Sequence, residues 1–516
     1  MCGPVGLLRE AGSPVATQGG VRGSPVATQG GVRGSPVATQ EGRSLADEKI
    51  DVLFLGGGTG GYEAAIRAAQ SGLKAVVVEK DKVGGVCLHK GCIPSKALLR
   101  TAELMATMRE ASDFGLQVEE PRLDFRQAQS RKQKIVDQLY KGVQGLLKRA
   151  NVTIYEGVGT LMPPSIFAPA GSVSVEKPNG ERELLTPDHI VIATGSCARE
   201  LPGLPFDGER VISSDHALEL QEVPKSVIIV GAGAIGCEWA SLFSDLGGEV
   251  QLVEALPRLL PLEDKEMSDQ LQRIFTRRGI GCYPGHGVDV QSYRATEDGV
   301  EVTIDGPSGK KTLSAQKILV AIGRKPNSDG LGLENFDKVK LDRGYIQVDA
   351  EMRTGDPRIF AIGDVIGRLQ LAHVAVHEGL IAVDAILGKQ PETIDYVKVP
   401  RCTYTRPEVA SVGLDEQAAR DQGHEVKVGK YFFKANGKAL IYGEDQGICK
   451  VVADAATGDL LGLHLIGPHA TDLVAEGTLA LAFDGSLFDL QEIVHAHPTL
   501  YEIINDAALA ADGKMA

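Results

Sequence analysis

The strand-type run "DVLFLG", residues 51–56, opens directly into a glycine-rich turn, and the same arrangement returns from residue 225. In the first copy Gly56, Gly58 and Gly61 satisfy GxGxxG. An Ala-rich stretch of helical periodicity follows and is stopped by Gly72, and "KAVVVE" supplies a second apolar strand ending at Glu79. In the second copy "KSVIIV" leads into Gly231, Gly233 and Gly236, a helical stretch follows, and "EVQLVE" ends at Glu254. Each acid stands 23 residues after the first glycine of its copy. A lone GxGxxG arises by chance in loops. Two at matched spacing, each between strand and helix, specify two dinucleotide-binding βαβ units.

Each residue of the device has a physical reason. The first glycine makes a tight turn, the second lets a pyrophosphate approach the backbone, and the third lets helix pack closely on strand. The helix N-terminus offers free N–H groups and a partial positive charge to the phosphates. The acid accepts hydrogen bonds from a ribose and repels a 2′-phosphate, for which an arginine would be expected. Glu254 therefore predicts NAD(H) rather than NADP(H).

Between the two units lies "GGVCLHKGCIPSK", residues 84–96, with Cys87 and Cys92 five positions apart. On a regular α-helix such positions differ by about 7.5 Å along the axis and by about 140° around it. A disulfide tolerates roughly 4.4–6.8 Å between Cα atoms. A bridged pair therefore requires the backbone to leave regular helix between them, and Gly91, with Gly84 and Gly85, supplies the freedom. Pro94 and "SKALLRTAELM" read as the start of a helix, whose N-terminal end would stabilise a thiolate. Two adenine dinucleotides and one thiol pair suggest a relay from dithiol to flavin to nicotinamide.

Composition limits the alternatives. A chain of 516 residues is too long for one core and implies several domains. The net charge of −14 argues against a nucleic-acid partner. No apolar run approaches the roughly 18 residues of a membrane span. Eight cysteines are too sparse for a secreted disulfide scaffold, and an isolated close pair in a reducing compartment points to catalysis. Cys2, Cys197, Cys237, Cys282, Cys402 and Cys449 show no metal spacing. His373 and His377 are four apart, as helical metal ligands are, but lack a third ligand nearby, and no metal is expected. Without a GxxxxGK[ST] segment a nucleoside-triphosphate hydrolase is not supported. Residues 1–45 carry an eleven-residue repeat, "GSPVATQGGVR", from Gly12 and Gly23, which decays to "GSPVATQEGR" from Gly34. A segment so rich in Gly, Ser, Pro and Gln is expected to be disordered. The expected location is the cytoplasm, or an organellar matrix if this acid-poor extension is a transit peptide.

"GGVCLHKGCIPSKALL" resembles the redox-disulfide segment of the flavin-dependent pyridine nucleotide–disulfide oxidoreductases, most closely the branch that oxidises dihydrolipoamide. The resemblance covers residues 49–512 through "IVIATG", "VGAGAIGCE", "AIGRKPN", "IFAIGDV", "LAHVAVHEG" and "HAHPTLYE", in family order. By spacing alone either His495 or His497 could take protons from a dithiol. The resemblance assigns the base to His497 and its orienting carboxylate to Glu502, leaving His495 structural. Tyr501 departs from the serine found in many relatives. The resemblance also implies that Lys96 pairs with Glu238 near the flavin N5. Asp364 would accept a ribityl hydroxyl, and Thr194, Gly195, Ser196, Leu371, Ala372 and His373 would line the flavin. Gly159 would contact the FAD adenine end, and Gly323 the nicotinamide side.

The implied fold is α/β: two Rossmann-like domains, one inserted in the other, followed by an α+β dimerisation domain. Expected boundaries are 46–195 for the FAD-binding domain, 196–323 for the NAD-binding domain, 324–394 for the FAD-binding continuation and 395–516 for the interface domain. The implied enzyme is a homodimer whose histidine serves the partner subunit's disulfide. It would reoxidise dihydrolipoamide on a lipoyl-bearing protein, of a 2-oxo acid dehydrogenase complex or the glycine cleavage system, with FAD and NAD⁺. Two neighbouring activities fit less well. Ser95 and the acidic Glu254 argue against glutathione reduction, and the cysteine-free "AALAADGKMA" argues against mercuric reduction.

Overall fold

The computed structural model describes residues 49–166 and 171–515. The expectations for the N-terminal repeats and for Cys2 lie outside the described residues.

The apolar runs form strands where their composition predicts. Ile50–Leu55, Ala75–Glu79, Thr153–Glu156, Pro187–Ile192 and Ile359–Ala361 make one five-stranded parallel sheet. Ile50–Leu55 is central, paired with Ala75–Glu79 on one side (Val52 opposite Ala75) and with Pro187–Ile192 on the other. Val52, Leu53, Phe54, Val76 and Val77 are buried on both faces of the sheet, which is why these strands read as unbroken apolar runs. A second five-stranded parallel sheet, Val211–Ile212, Ser226–Val230, Glu249–Glu254, Gly281–Pro284 and Lys317–Val320, lies wholly between the fourth and fifth strands of the first. One Rossmann-like unit is thus inserted in the other. In both sheets the fingerprint strand has successive neighbours on opposite sides, the topological switch point at which such folds bind ligands.

The helix Thr59–Gln70 packs along Ala372–Ile386. The crossing uses small residues: a β-carbon on Gly60 would stand 2.7 Å from the Ala375 carbonyl oxygen, and one on Gly379 2.9 Å from the Ala64 β-carbon. From residue 401 onward the chain turns antiparallel, as its alternating pattern predicts. Arg401–Thr403, Glu408–Gly413, Leu460–Gly467, Ile448–Asp454 and Val426–Phe432 form a sheet in that spatial order. Helices Ala470–Ala482 and Glu502–Ala511 pack against it over a core including Leu463, Leu465, Leu473, Ile503 and Ile504.

Candidate active site

The two fingerprint turns are built alike. Gly56 and Gly231 have φ of +110° and +100°, and a β-carbon on either would lie 2.3 or 2.4 Å from the carbonyl oxygen of Ala193 or Ala321. A β-carbon on Gly61 would meet the Gly56 oxygen at 2.0 Å, and one on Gly236 the Gly231 oxygen at 1.8 Å. Nothing lies within 4 Å of the β-carbon positions of Gly58 and Gly233. These residues precede helices Thr59–Gln70 and Ala234–Asp245 without a side-chain cap, leaving first-turn N–H groups for a ligand. Both turns open onto one cavity of about 1340 Å³, also lined by Cys87 and Cys92. Its size, its two cradles and its uncapped helix ends fit dinucleotide cofactors.

Glu79 and Glu254 carry a second duty that their strand-end position did not reveal. One oxygen of each accepts from the second residue of its turn, Gly57 N at 2.7 Å or Ala232 N at 2.6 Å. The other accepts from Asp81 N at 2.9 Å or Leu256 N at 2.8 Å. Each acid braces the turn besides presenting a carboxylate beyond it. The equal spacing in the two copies was the available signal.

Cys87 lies in the short helix Gly85–Lys90, which ends at Gly91 (φ −147°, ψ −113°), and Cys92 begins the helix Cys92–Arg109. The two sulfurs therefore belong to different helices, with the backbone break on the glycine between them. The second helix starts two residues before the expected Pro94. Pro94 falls in its first turn, where a missing N–H leaves no helical bond unmade. Both thiols are free and hydrogen-bond one another. The Cys87 hydrogen bond, opposed by burial and aided by the Lys96 charge, lowers the Cys92 thiol to about 7. The same hydrogen bond, with burial, pushes Cys87 far up.

Lys96, one turn after Cys92, donates to both carboxylate oxygens of Glu238 at 2.9 and 2.8 Å. Tyr404, absent from the sequence reading, donates its backbone N–H to Glu238 at 3.0 Å and sets its ring 4.5 Å from the Lys96 ammonium. Asp364 accepts from the Ser196 hydroxyl, which in turn accepts from Arg324 Nε at 2.6 Å. Thr194 and Asn327 are clasped by reciprocal bonds of 2.7 and 2.9 Å. Gly159, Thr194, Gly195, Ser196, Gly323, Asp364, Leu371 and Ala372 line the same cavity as the thiols. His373 does not: its Nε2 lies 3.1 Å from the Pro400 carbonyl. Sequence reasoning also passed over Glu378, buried on the Ala372–Ile386 helix. It accepts from Gly363 N at 2.7 Å and from the Tyr396 hydroxyl at 2.8 Å, and burial raises it to about 7.

His497 Nδ1 lies 2.8 Å from Glu502 Oε1, and Glu502 Oε2 accepts from Thr499 N at 2.8 Å. The Thr499 N–H and the imidazole hold the Glu502 carboxyl below its usual range. The His497 side chain is 78% exposed and stands outside the cavity that the thiols line. His495 is engaged elsewhere, with Nε2 2.9 Å from Glu476. Cys237 and Cys449 are buried, Cys282 and Cys402 partly so, and the exposed Cys197 lies at the cavity edge. Among the described residues no group of three or more His, Cys, Asp or Glu is arranged to hold a metal.

Residues 50–379 match the family described as pyridine nucleotide-disulphide oxidoreductase, and residues 399–508 match its dimerisation domain. The chain is 50% identical to a dihydrolipoyl dehydrogenase of Bacillus subtilis over 90% of its own length and 98% of the relative's. It is 44% identical to that of Chlorobaculum tepidum, over 90% and 97%. Among solved structures it resembles LpdA from Mycobacterium tuberculosis, with a TM-score of 0.82 and 28% identity over 89% of this chain and 99% of that one. The HOCl-induced flavoprotein disulfide reductase RclA from Escherichia coli gives a TM-score of 0.77 at 25% identity, over 89% and 99%. With twin dinucleotide turns opening on one thiol pair, and relatives matched along nearly their whole length, the chain belongs to the pyridine nucleotide–disulphide oxidoreductases, in their dihydrolipoyl dehydrogenase branch.

Proposed function

We propose that the protein reoxidises dihydrolipoamide to lipoamide and passes the electrons through FAD to NAD⁺. The lipoyl group would be carried by a protein of a 2-oxo acid dehydrogenase complex or of the glycine cleavage system. The observation that carries the reading is the thiol pair split across Gly91, lining the cavity onto which both dinucleotide turns open, with the Lys96–Glu238 pair beside it.

FAD would rest on Gly56, Gly58, Gly61, Glu79, Gly159, Thr194, Gly195, Ser196, Asp364, Leu371 and Ala372, with Lys96 at its reactive edge. NAD would rest on Gly231, Gly233, Gly236, Glu238, Glu254 and Gly323. When bound, FAD accepts two electrons from the reduced pair and returns them as hydride to the nicotinamide. The rest is done by the chain. With Cys87 and Cys92 joined as a disulfide, His497 takes a proton from one thiol of dihydrolipoamide through its Nε2, the nitrogen not held by Glu502. The substrate thiolate attacks the Cys87 sulfur, the Cys87–Cys92 bond breaks, and Cys92 leaves as a thiolate. The Lys96 charge favours the thiolate of Cys92, which makes it the better leaving group of the two. The second substrate thiol then displaces Cys87 and closes lipoamide, its proton passing to the departing Cys87 sulfur, so that the pair is left as one thiol and one thiolate. Glu502 holds the ring and stabilises the imidazolium.

The same reading divides the chain into a FAD-binding part, 46–195 with 324–394, an NAD-binding part, 196–323, and an interface part, 395–516. It also places the dimer in the cytoplasm and gives His497 to the partner subunit's thiols. No helix among the described residues is long and apolar enough to cross a membrane. Turnover of dihydrolipoamide with NAD⁺ is the test, with NADP⁺, glutathione and mercuric ion as competing substrates. The dihydrolipoamide–NAD⁺ pair should be fastest, and faster turnover of any competitor would refute the reading.

A further inference from the structure

Tyr404 follows the strand Arg401–Thr403 and touches both members of the Lys96–Glu238 pair, which come from other parts of the chain. Its N–H ties the turn to Glu238 at 3.0 Å. Its ring centroid lies 4.5 Å from the Lys96 nitrogen, within the range at which an ammonium is attracted to an aromatic face. Burial pushes the phenol up to about 12, so the ring stays neutral at working pH. The ammonium is therefore held from two sides, by the Glu238 oxygens at 2.9 and 2.8 Å and by the ring. Lys96 stands four residues after Cys92 on one helix, the spacing that puts two side chains on the same face. Its stem has four rotatable bonds, and a third of the side chain is exposed. Without the ring the ammonium would be held by Glu238 alone, and its open side would face solvent.

We infer that Tyr404 is a positioning residue for the redox pair, whose ring keeps the Lys96 charge beside Cys92. The inference rests on the roles proposed for Cys92 and Lys96. It adds that the interface part of the chain sets the reactivity of a sulfur in the cofactor cavity, and that it does so through the aromatic face and not through the phenol hydroxyl.

The test is pulse alkylation of the reduced holoenzyme with iodoacetamide across the neutral pH range, with Cys92 labelling read by mass spectrometry. Tyr404→Leu should raise the midpoint by roughly half a pH unit, about a threefold loss of thiolate below it. Tyr404→Phe should keep the wild-type midpoint. In a Lys96→Met background Tyr404→Leu should add nothing, an outcome that general structural damage would not give. If Tyr404→Leu fails to retain FAD, Tyr404→Gln serves in its place. The inference is overturned by a wild-type midpoint in Tyr404→Leu, by an equal shift in Tyr404→Phe, or by a shift that persists in Lys96→Met. An unshifted midpoint in Lys96→Met alone overturns it together with the role of Lys96, so the two failures are told apart.

Discussion

The two sulfurs of the site are chemically unequal. Cys92 heads a helix, faces Lys96 and accepts the Cys87 hydrogen bond, whereas Cys87 lies in the preceding short helix and gives up that bond. Reduced protein freed of FAD should therefore alkylate first at Cys92, with a pH midpoint near 7. Cys92→Ser should lose dihydrolipoamide turnover by three orders of magnitude or more, since no disulfide can form. Peptide mapping that found Cys87 modified first would reverse the assignment. Glu378 yields a second prediction. Its folded pKa lies above its ordinary value of 4.5, at about 7, so between those values the native state holds a proton that the unfolded chain has lost. Its contribution to stability is complete below about pH 4.5 and declines as pH rises through about 7. Glu378→Gln should flatten that slope in denaturant melts, and an unchanged slope would rule out titration at this carboxyl. Neither Glu378 nor Tyr404 was legible in the sequence. A glutamate in "AVHEGL" and a tyrosine in "CTYTRP" look like surface residues until the fold brings Tyr396 and Lys96 to them.

The strand–turn–helix elements were legible because their logic is local. Each glycine sits within a few residues of what it must accommodate, and the acid closing the unit falls at a fixed interval. What lay beyond reach was contact between different parts of the chain: the Asp364–Ser196–Arg324 chain and the departure of His373 toward Pro400. The thiol segment lies between these cases. Disulfide geometry demanded a break between the cysteines, but the start of the second helix at Cys92 depended on Gly91 adopting the break itself. The fingerprint glycines now separate by role. Gly61→Ala places a methyl 2.0 Å from the Gly56 oxygen, an overpacking of backbone against backbone. It should destabilise the folded protein by about 1–3 kcal/mol or more. Gly58→Ala meets nothing within 4 Å in the protein, so its melting temperature without cofactor should be unchanged. Its methyl would instead fill the open cradle in front of the helix Thr59–Gln70 that is proposed to hold FAD, and FAD affinity should fall by about tenfold or more, read by flavin fluorescence. Equal effects of the two variants on the cofactor-free melt would contradict this division of labour.

Each chain supplies a complete set of thiols, Lys96 and Glu238 on one cavity, and a complete His497–Glu502 pair, yet the imidazole is largely in solvent and away from that cavity. A base must come within hydrogen-bond reach of the proton it removes. The matched dimerisation domain pairs the chain with a second copy that carries the same groups. The arrangement then has a countable consequence. Cys92→Ser and His497→Gln homodimers should each be nearly inactive, the second by a factor of about 10² to 10⁴, the loss expected for a general base. If His497 serves the partner subunit, a hybrid of the two variants pairs the intact thiols of one subunit with the intact histidine of the other, and its second site carries both lesions. Random reassortment of an equal mixture makes half the dimers hybrids with one working site of two. Activity should thus recover to about a quarter of wild type after subunit exchange. If His497 served its own chain, every site in every hybrid would hold one lesion, and exchange would restore nothing. Turnover before and after exchange, with hybrid content measured by native mass spectrometry, decides between the two.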